Sequence, residues 1–181
     1  MPEELDDELQ EMYEEPKRRE KSLSNEVLRL PLRALKIQEP VMVPPTMTVQ
    51  SAVLKMQTHR TGCVLLVDSE LAGQRKLIGI FTERDLLYKV IGKIKDISTV
   101  HVSEFSTQNP ETMRLDDTIG HALNLMHVGG YRHIPVVNDK YEPLGVISIK
   151  DAVAFLSEHF PEDVLNIPAK ALRITTEREG A

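Results

Sequence analysis

The chain has 181 residues, enough for one or two domains, and its 41% apolar and 28% charged residues, with no tryptophan, are those of an ordinary globular protein. A single cysteine, Cys63, excludes an intramolecular disulfide and a cysteine-rich zinc site and fits a reducing, cytoplasmic setting. The net charge of −6 is accounted for by residues 1–20, where nine acids face Lys17, Arg18 and Arg19, so the remainder offers no broad basic field for nucleic acid or anionic lipid.

Residues 1–24 form an acidic arm. Leu5, Leu9, Met12 and Tyr13 fall at helical spacing before Pro16, but the composition favours a solvated segment. It lacks the basic and then apolar pattern of a secretory signal, and no apolar run of the chain approaches the ~18 residues of a membrane span. Leu28, Leu32 and Leu35 share one helix face and predict a lead-in helix over residues 28–35, with Pro31 near a start or kink. Pro40-Val41-Met42-Val43 predicts a short strand. Thr48 then opens a helix whose Val49, Ala52, Val53 and Met56 form a buried stripe. Cys63-Val64-Leu65-Leu66-Val67 and residues 77–81 are apolar runs of strand length, separated by a polar loop over residues 68–76. A closing helix over residues 85–91 stops at Gly92.

The same order returns at an offset of 70 residues. Leu32 matches Val102, Leu35 matches Phe105, Pro40 matches Pro110, Thr48 matches Thr118, Ala52 matches Ala122 and Met56 matches Met126. Val64, Leu66 and Val67 match Ile134, Val136 and Val137. After that strand the offset becomes 66, because the first copy has the longer loop, and Gly79-Ile80-Phe81-Thr82-Glu83-Arg84-Asp85 falls on Gly145-Val146-Ile147-Ser148-Ile149-Lys150-Asp151. Each copy reads strand, helix, strand, strand, helix in ~50 residues, too few to bury a comfortable core alone. The expected architecture is therefore an α+β fold of two βαββα repeats packed sheet to sheet about a pseudo-two-fold axis. We divide the chain into the arm at 1–24, the lead-in and first repeat at 25–95, the second repeat at 96–160 and a tail at 161–181. In each repeat a hydroxyl and a carboxylate three residues apart stand where a strand hands over to a helix. That pattern is an ordinary helix cap as well as a ligand site.

These two motifs, in register and each preceded by a Thr-led helix with Ala and Met at matching positions, resemble the tandem cystathionine β-synthase (CBS) domain pair, or Bateman module, over roughly residues 28–160. The resemblance implies a non-catalytic regulatory module, with no obligatory cofactor, that binds an adenosine-containing ligand (AMP, ADP, ATP or S-adenosylmethionine) in clefts between the repeats. It also implies a homodimer acting in trans on a protein partner. In such modules the motif Asp accepts from both ribose hydroxyls, while the motif Ser or Thr and nearby basic residues meet phosphate. Carried over residue by residue, one cleft would have Ser148, Lys150 and Asp151, the basic pair Arg132 and His133, and a lining of Ile37, Met42, Thr61 and Gly62. This is the expected ligand site. A possible second site would have Thr82, Arg84 and Asp85 with Thr112 and Tyr131, but Gly62 and Cys63 stand where the second repeat has its basic pair.

The histidines do not reveal a metal site: His121 and His127 are six apart and point to different helix faces. Cys63, inside an apolar strand, reads as a small core residue. No P-loop, dinucleotide fingerprint or kinase signature occurs. The alternative to a nucleotide sensor is a structural or protein-interaction module that dimerises with empty clefts.

Overall fold

The computed structural model describes residues 26–68 and 75–159. The acidic arm, the segment 69–74 of the polar loop and the tail from residue 160 lie outside the described residues. The first repeat consists of β1 (Met42–Val43), α1 (Val49–His59), β2 (Cys63–Asp68), β3 (Lys76–Thr82) and α2 (Glu83–Asp85), which widens into a π-helical turn at Leu86–Val90. The second consists of β4 (Thr107–Gln108), α3 (Ile119–Val128), β5 (His133–Val137), β6 (Pro143–Ser148) and α4 (Ile149–His159). The π-helical turn ends at Val90; Ile91 is extended, and Gly92 follows at φ 77°, a conformation that glycine adopts without strain.

Equivalent residues do equivalent work in the two repeats. Thr48 caps α1 by accepting from the Ser51 N–H, and Thr118 caps α3 by accepting from the His121 N–H, both at 3.2 Å. The helices bury Val49, Ala52 and Met56 in one case and Ile119, Ala122 and Met126 in the other. Both hairpins slip register at the matching place, between Leu66 and Val67 and between Val136 and Val137. The first sheet runs β1-β2-β3-β4, with β1 parallel to β2 and the other pairs antiparallel. The second sheet is β5-β6, extended to the same pattern by single bridges from Met113 to Val136 and from Gln38 to Val146.

The sheets meet face to face. Cys63, Leu65, Leu77 and Ile80 of the first form one buried cluster with Val137 and Val146 of the second. This is the predicted sheet-to-sheet packing, and it relieves the small repeats of an exposed apolar face.

The lead-in is organised differently from the expectation. A continuous helix over 28–35 does not form, because Pro31 has no N–H to donate and disfavours the helical conformation at Leu30. Residues 26–28 are helical, Pro31 is extended (φ −71°, ψ 153°), and Leu32–Ala34 makes a separate 3₁₀ turn. That turn docks on the second repeat, not the first. The Leu32 N–H donates to Asp117 O at 2.8 Å, and Leu32 and Leu35 lie in the core of Met113, Ile119, Ile134 and Ile147. The connecting segment does the converse: the Val102 N–H donates to Met47 O at 2.8 Å, and Val102 lies in the core of Val43, Val49, Val64 and Phe81. Each core is completed by the chain that precedes the other repeat. Leu32 is fully buried, so Leu32→Ala should cost about 2–5 kcal/mol in denaturant unfolding. A cost under about 1 kcal/mol would show that the lead-in is not part of the second core.

Candidate functional site

Each hairpin runs directly into the helix that carries its motif. Cys63 is paired with Thr82, and His133 with Ser148, at the ends of β2-β3 and β5-β6. The Glu83 N–H then donates to Gly62 O at 3.0 Å, and the Ile149 N–H to Arg132 O at 3.1 Å, fixing both helix starts against the neighbouring strand. In the first motif Asp85 Oδ2 accepts from the Thr82 N–H at 2.9 Å and from the Thr82 hydroxyl at 2.7 Å. In the second, Asp151 Oδ2 accepts from the Ser148 N–H at 2.8 Å and from the Ser148 hydroxyl at 2.6 Å. Both are reciprocal caps, since the Asp85 N–H donates to Thr82 Oγ1 at 3.2 Å and the Asp151 N–H to Ser148 Oγ at 3.3 Å.

The remaining oxygen distinguishes the motifs. Asp85 Oδ1 is 2.7 Å from Lys89 Nζ, one helical turn on, and the same ammonium donates to Phe105 O at 2.8 Å. Asp151 Oδ1 instead accepts from Gln38 Nε2 at 2.8 Å. One carboxylate is thus held by a cation and the other by a neutral amide. Neither Lys89 nor Gln38 was picked out from the sequence. The spacing of Lys89 from Asp85, the i,i+4 separation of an ion pair on a helix, was the available signal.

A cleft of about 520 Å³ opens at the seam between the repeats, beside the first motif. Thr82, Arg84 and Asp85 line it from the first repeat, and Tyr131, Arg132 and His133 from the second. The connecting segment adds Thr107, Asn109 and Glu111. Arg84 links the two repeats, its Nη1 donating to Gly130 O at 3.0 Å.

The sequence grouping changes in one respect. Arg132 and His133, assigned above to the cleft of Ser148 and Asp151, line the cleft of Thr82 and Asp85, and so does Gly62. The backbone of β5 does run beside Ser148, but the His133 ring lies over Gly62 of the first repeat. A Cβ on Gly62 would stand 2.6 Å from His133 Cε1, so the missing side chain makes room for the ring. Lys150 is exposed, Met42 pairs with Leu65 in the sheet, and the Thr61 hydroxyl donates to Cys63 O at 3.3 Å. Ile37 packs over Gly145, where any Cβ would overlap its side chain. Thr112 is outside the cleft lining, with its hydroxyl 3.5 Å from the Tyr141 hydroxyl.

His133 and Cys63, at the ends of their matching strands, are both shifted from their ordinary values. Burial lowers His133 below the ordinary 6.5; Glu83 and Asp151 oppose the shift and Arg132 reinforces it, so the ring is neutral at pH 7. Burial pushes the Cys63 thiol up to about 12, with Glu83 adding to the rise against a hydrogen bond from Thr61. Such a thiol is no nucleophile at neutral pH. Among the described residues no cluster of His, Cys, Asp and Glu is placed to hold a metal ion, and no helix is long and apolar enough to cross a membrane.

Comparison with known proteins agrees with this architecture. The CBS domain family model matches residues 32–92 and 102–158. The chain therefore belongs to the CBS domain family and carries two tandem copies of the domain. An uncharacterised 17.7 kDa protein of Acidianus ambivalens is 30% identical over 119 residues, 65% of this chain and 68% of that protein. The CBS domain-containing protein CBSCBSPB1 of Arabidopsis thaliana is 33% identical over 107 residues, 59% of this chain but only 19% of the longer relative. Among solved structures, a CBS domain protein of Pyrobaculum aerophilum complexed with AMP superposes with a TM-score of 0.61 at 24% identity, over 71% of this chain and 99% of that one. The CBS domain pair of protein MJ0100, in complex with 5′-methylthioadenosine and S-adenosyl-L-methionine, superposes with a TM-score of 0.62 at 20% identity, over 71% of this chain and 97% of that one. At these identities the two structures establish the fold.

The shift of His133 gives a signed pH dependence. A histidine held below its unfolded value leaves stability intact above about pH 6.5 and removes it as pH falls through the folded value. Unfolding midpoints should therefore drop on acidification, and His133→Gln should flatten that drop. An equal drop in the variant would contradict the assignment. Cys63 should resist a thiol reagent in the native protein and react only on unfolding; rapid native-state labelling would contradict its burial.

Proposed function

We propose that this CBS pair is a regulatory sensor that binds an adenosine-containing ligand in the cleft of Thr82 and Asp85 and acts in trans on a protein partner. The observation that carries this reading is the cleft itself. Its volume of about 520 Å³ lies within the ~300–1,000 Å³ of small-molecule sites, and both repeats contribute charged groups to it. The adenosyl ligands of the two solved CBS pairs support the ligand class.

The chemistry of the walls fits the roles implied by the family. Asp85 Oδ1 faces Lys89 but keeps acceptor capacity, and a carboxylate can accept from both hydroxyls of a ribose. Arg84 and Arg132 are the cations available to a phosphate, and the Tyr131 ring, 40% exposed, offers a base an apolar face. A ligand held by both repeats and by the segment between them would favour one arrangement of the three. A tenfold preference for that arrangement shifts the equilibrium by ~1.4 kcal/mol.

The partner surface follows from the helices. Leu54, Leu87, Tyr88, Ile91, Val128 and Val153 are apolar and each more than half exposed, on or beside the helices that would join two copies in a homodimer. We place the protein in the cytoplasm, where the ligand class is abundant.

A structural or protein-interaction module with empty clefts is the second reading. It is favoured by the capping role of both aspartates and by Gln38, which occupies Asp151 Oδ1. Calorimetry separates the two. AMP, ADP, ATP or S-adenosylmethionine should bind in the micromolar to millimolar range. Asp85→Ala should weaken binding about tenfold or more, as expected for loss of a charged hydrogen-bond acceptor, while Asp151→Ala should change it little. No heat and no thermal shift with all four ligands would sink the sensor reading, and loss confined to Asp151→Ala would move the site to the other cleft.

A further inference from the structure

The cleft walls carry a charge pattern that any nucleotide has to meet. Arg84 and Arg132 bring positive charge to the lining, and Glu83, Asp85 and Glu111 bring negative charge. Asp85 is offset by Lys89 at 2.7 Å. Glu83 and Glu111 have no ion-pair partner among the described residues. Glu83 is an exposed residue of the cleft lining, its carboxyl carbon 3.4 Å from where a Gly62 Cβ would be and close enough to His133 to bear on its titration. Glu111 is exposed on the connecting segment. Burial holds the His133 pKa below its ordinary value, so in the unliganded cleft at pH 7 the ring adds little positive charge. Two guanidiniums and two carboxylates therefore face one space.

We infer that the cleft selects adenosyl ligands by charge, accepting a single phosphate and discriminating against di- and triphosphate tails, with Glu83 and Glu111 as the selecting residues. The inference rests on the sensor reading of the same cleft. A monophosphate carries about −1.5 to −2 at neutral pH, which two guanidiniums can match with charge-assisted hydrogen bonds. Every further phosphate adds about one negative charge, and the lining holds no third uncommitted cation to receive it. A cleft of about 520 Å³ spans roughly one Debye length of about 8 Å at physiological salt, so salt weakens but does not abolish the repulsion between the added charge and Glu83 and Glu111. The second repeat offers no such carboxylate in its motif: Ile149 stands at the counterpart of Glu83.

Calorimetric titration of the full chain with AMP, ADP and ATP, in magnesium-free buffer at about 0.15 M salt, tests this. Affinity should fall in that order, by about threefold to tenfold per added phosphate. Glu111→Gln should raise ATP affinity relative to AMP by roughly threefold or more, and Glu83→Gln should move the ratio in the same direction. A melting curve of each variant confirms that it folds. ATP binding as tight as AMP overturns the inference, and so does an unchanged ATP-to-AMP ratio in both variants. Failure of all three nucleotides to bind overturns the inference; the sensor reading falls with it only if S-adenosylmethionine also fails to bind.

Discussion

The fold depends on an exchange of chain between its two halves. Leu32 precedes the first repeat and fills the core of the second; Val102 precedes the second and fills the core of the first. Both docked turns are fixed by the same bond, a backbone N–H donating at 2.8 Å to the turn before the capped helix of the other repeat. Neither core closes without the other repeat's lead-in, so the module is one cooperative unit despite its duplicated sequence. The exchange also shapes the seam. It lays β4 along β3 and Gln38 along β6, and Gly79 and Gly145 allow the close approach. At Gly79 a Cβ would stand 3.2 Å from Thr107 O; at Gly145 it would overlap Ile37.

A symmetric backbone need not produce two equal sites. Lys89 and Phe155 occupy equivalent positions, yet Lys89 pairs with Asp85 whereas Phe155 is buried in the second core. Gln38 and Gln108 are equivalent too, yet Gln38 donates to Asp151 while Gln108 donates to Ser103 O and Ser106 Oγ. The hydroxyl-carboxylate cap is thus a shared structural element, and the neighbours of Oδ1 set its electrostatics. At Asp85 the burial of a carboxylate is offset by an ion pair that also ties the motif to the connecting segment through Phe105 O. The first cleft gains its second wall from Tyr131, Arg132 and His133, for which the first repeat has no basic counterpart.

The repeat, the strands, the capped helices and both motifs could be read from the sequence because they rest on local signals: periodicity, a Thr before an apolar stripe, and matched spacing. Which lead-in serves which core could not. Leu32 and Val102 are equivalent, so docking each on its own repeat or on the other buries the same residues in the same pattern, and only three-dimensional reach decides. The break at Pro31 was indicated by the residue itself, although the apolar spacing around it argued for a continuous helix. Arg132 and His133 were recognisable as a basic pair beside Ser148. Their cleft depended on side-chain direction, with the His133 ring lying over Gly62. The walls from the connecting segment were hidden for the same reason. Thr107 lies 70 residues after Ile37, so the repeat offset applied to the expected lining of one cleft would have found it in the other.

Membership of the CBS family and the sheet-to-sheet pair of repeats set where a ligand can be shared between the halves of this chain. The central claim is that the working cleft is built by Asp85 of one repeat and Arg132 of the other. A crystal structure of the full chain grown with AMP tests it most directly. The account predicts the ribose at Asp85 and the phosphate within hydrogen-bonding distance of Arg132 or Arg84; AMP seated at Ser148 and Asp151, with the Thr82 cleft unchanged, would contradict it.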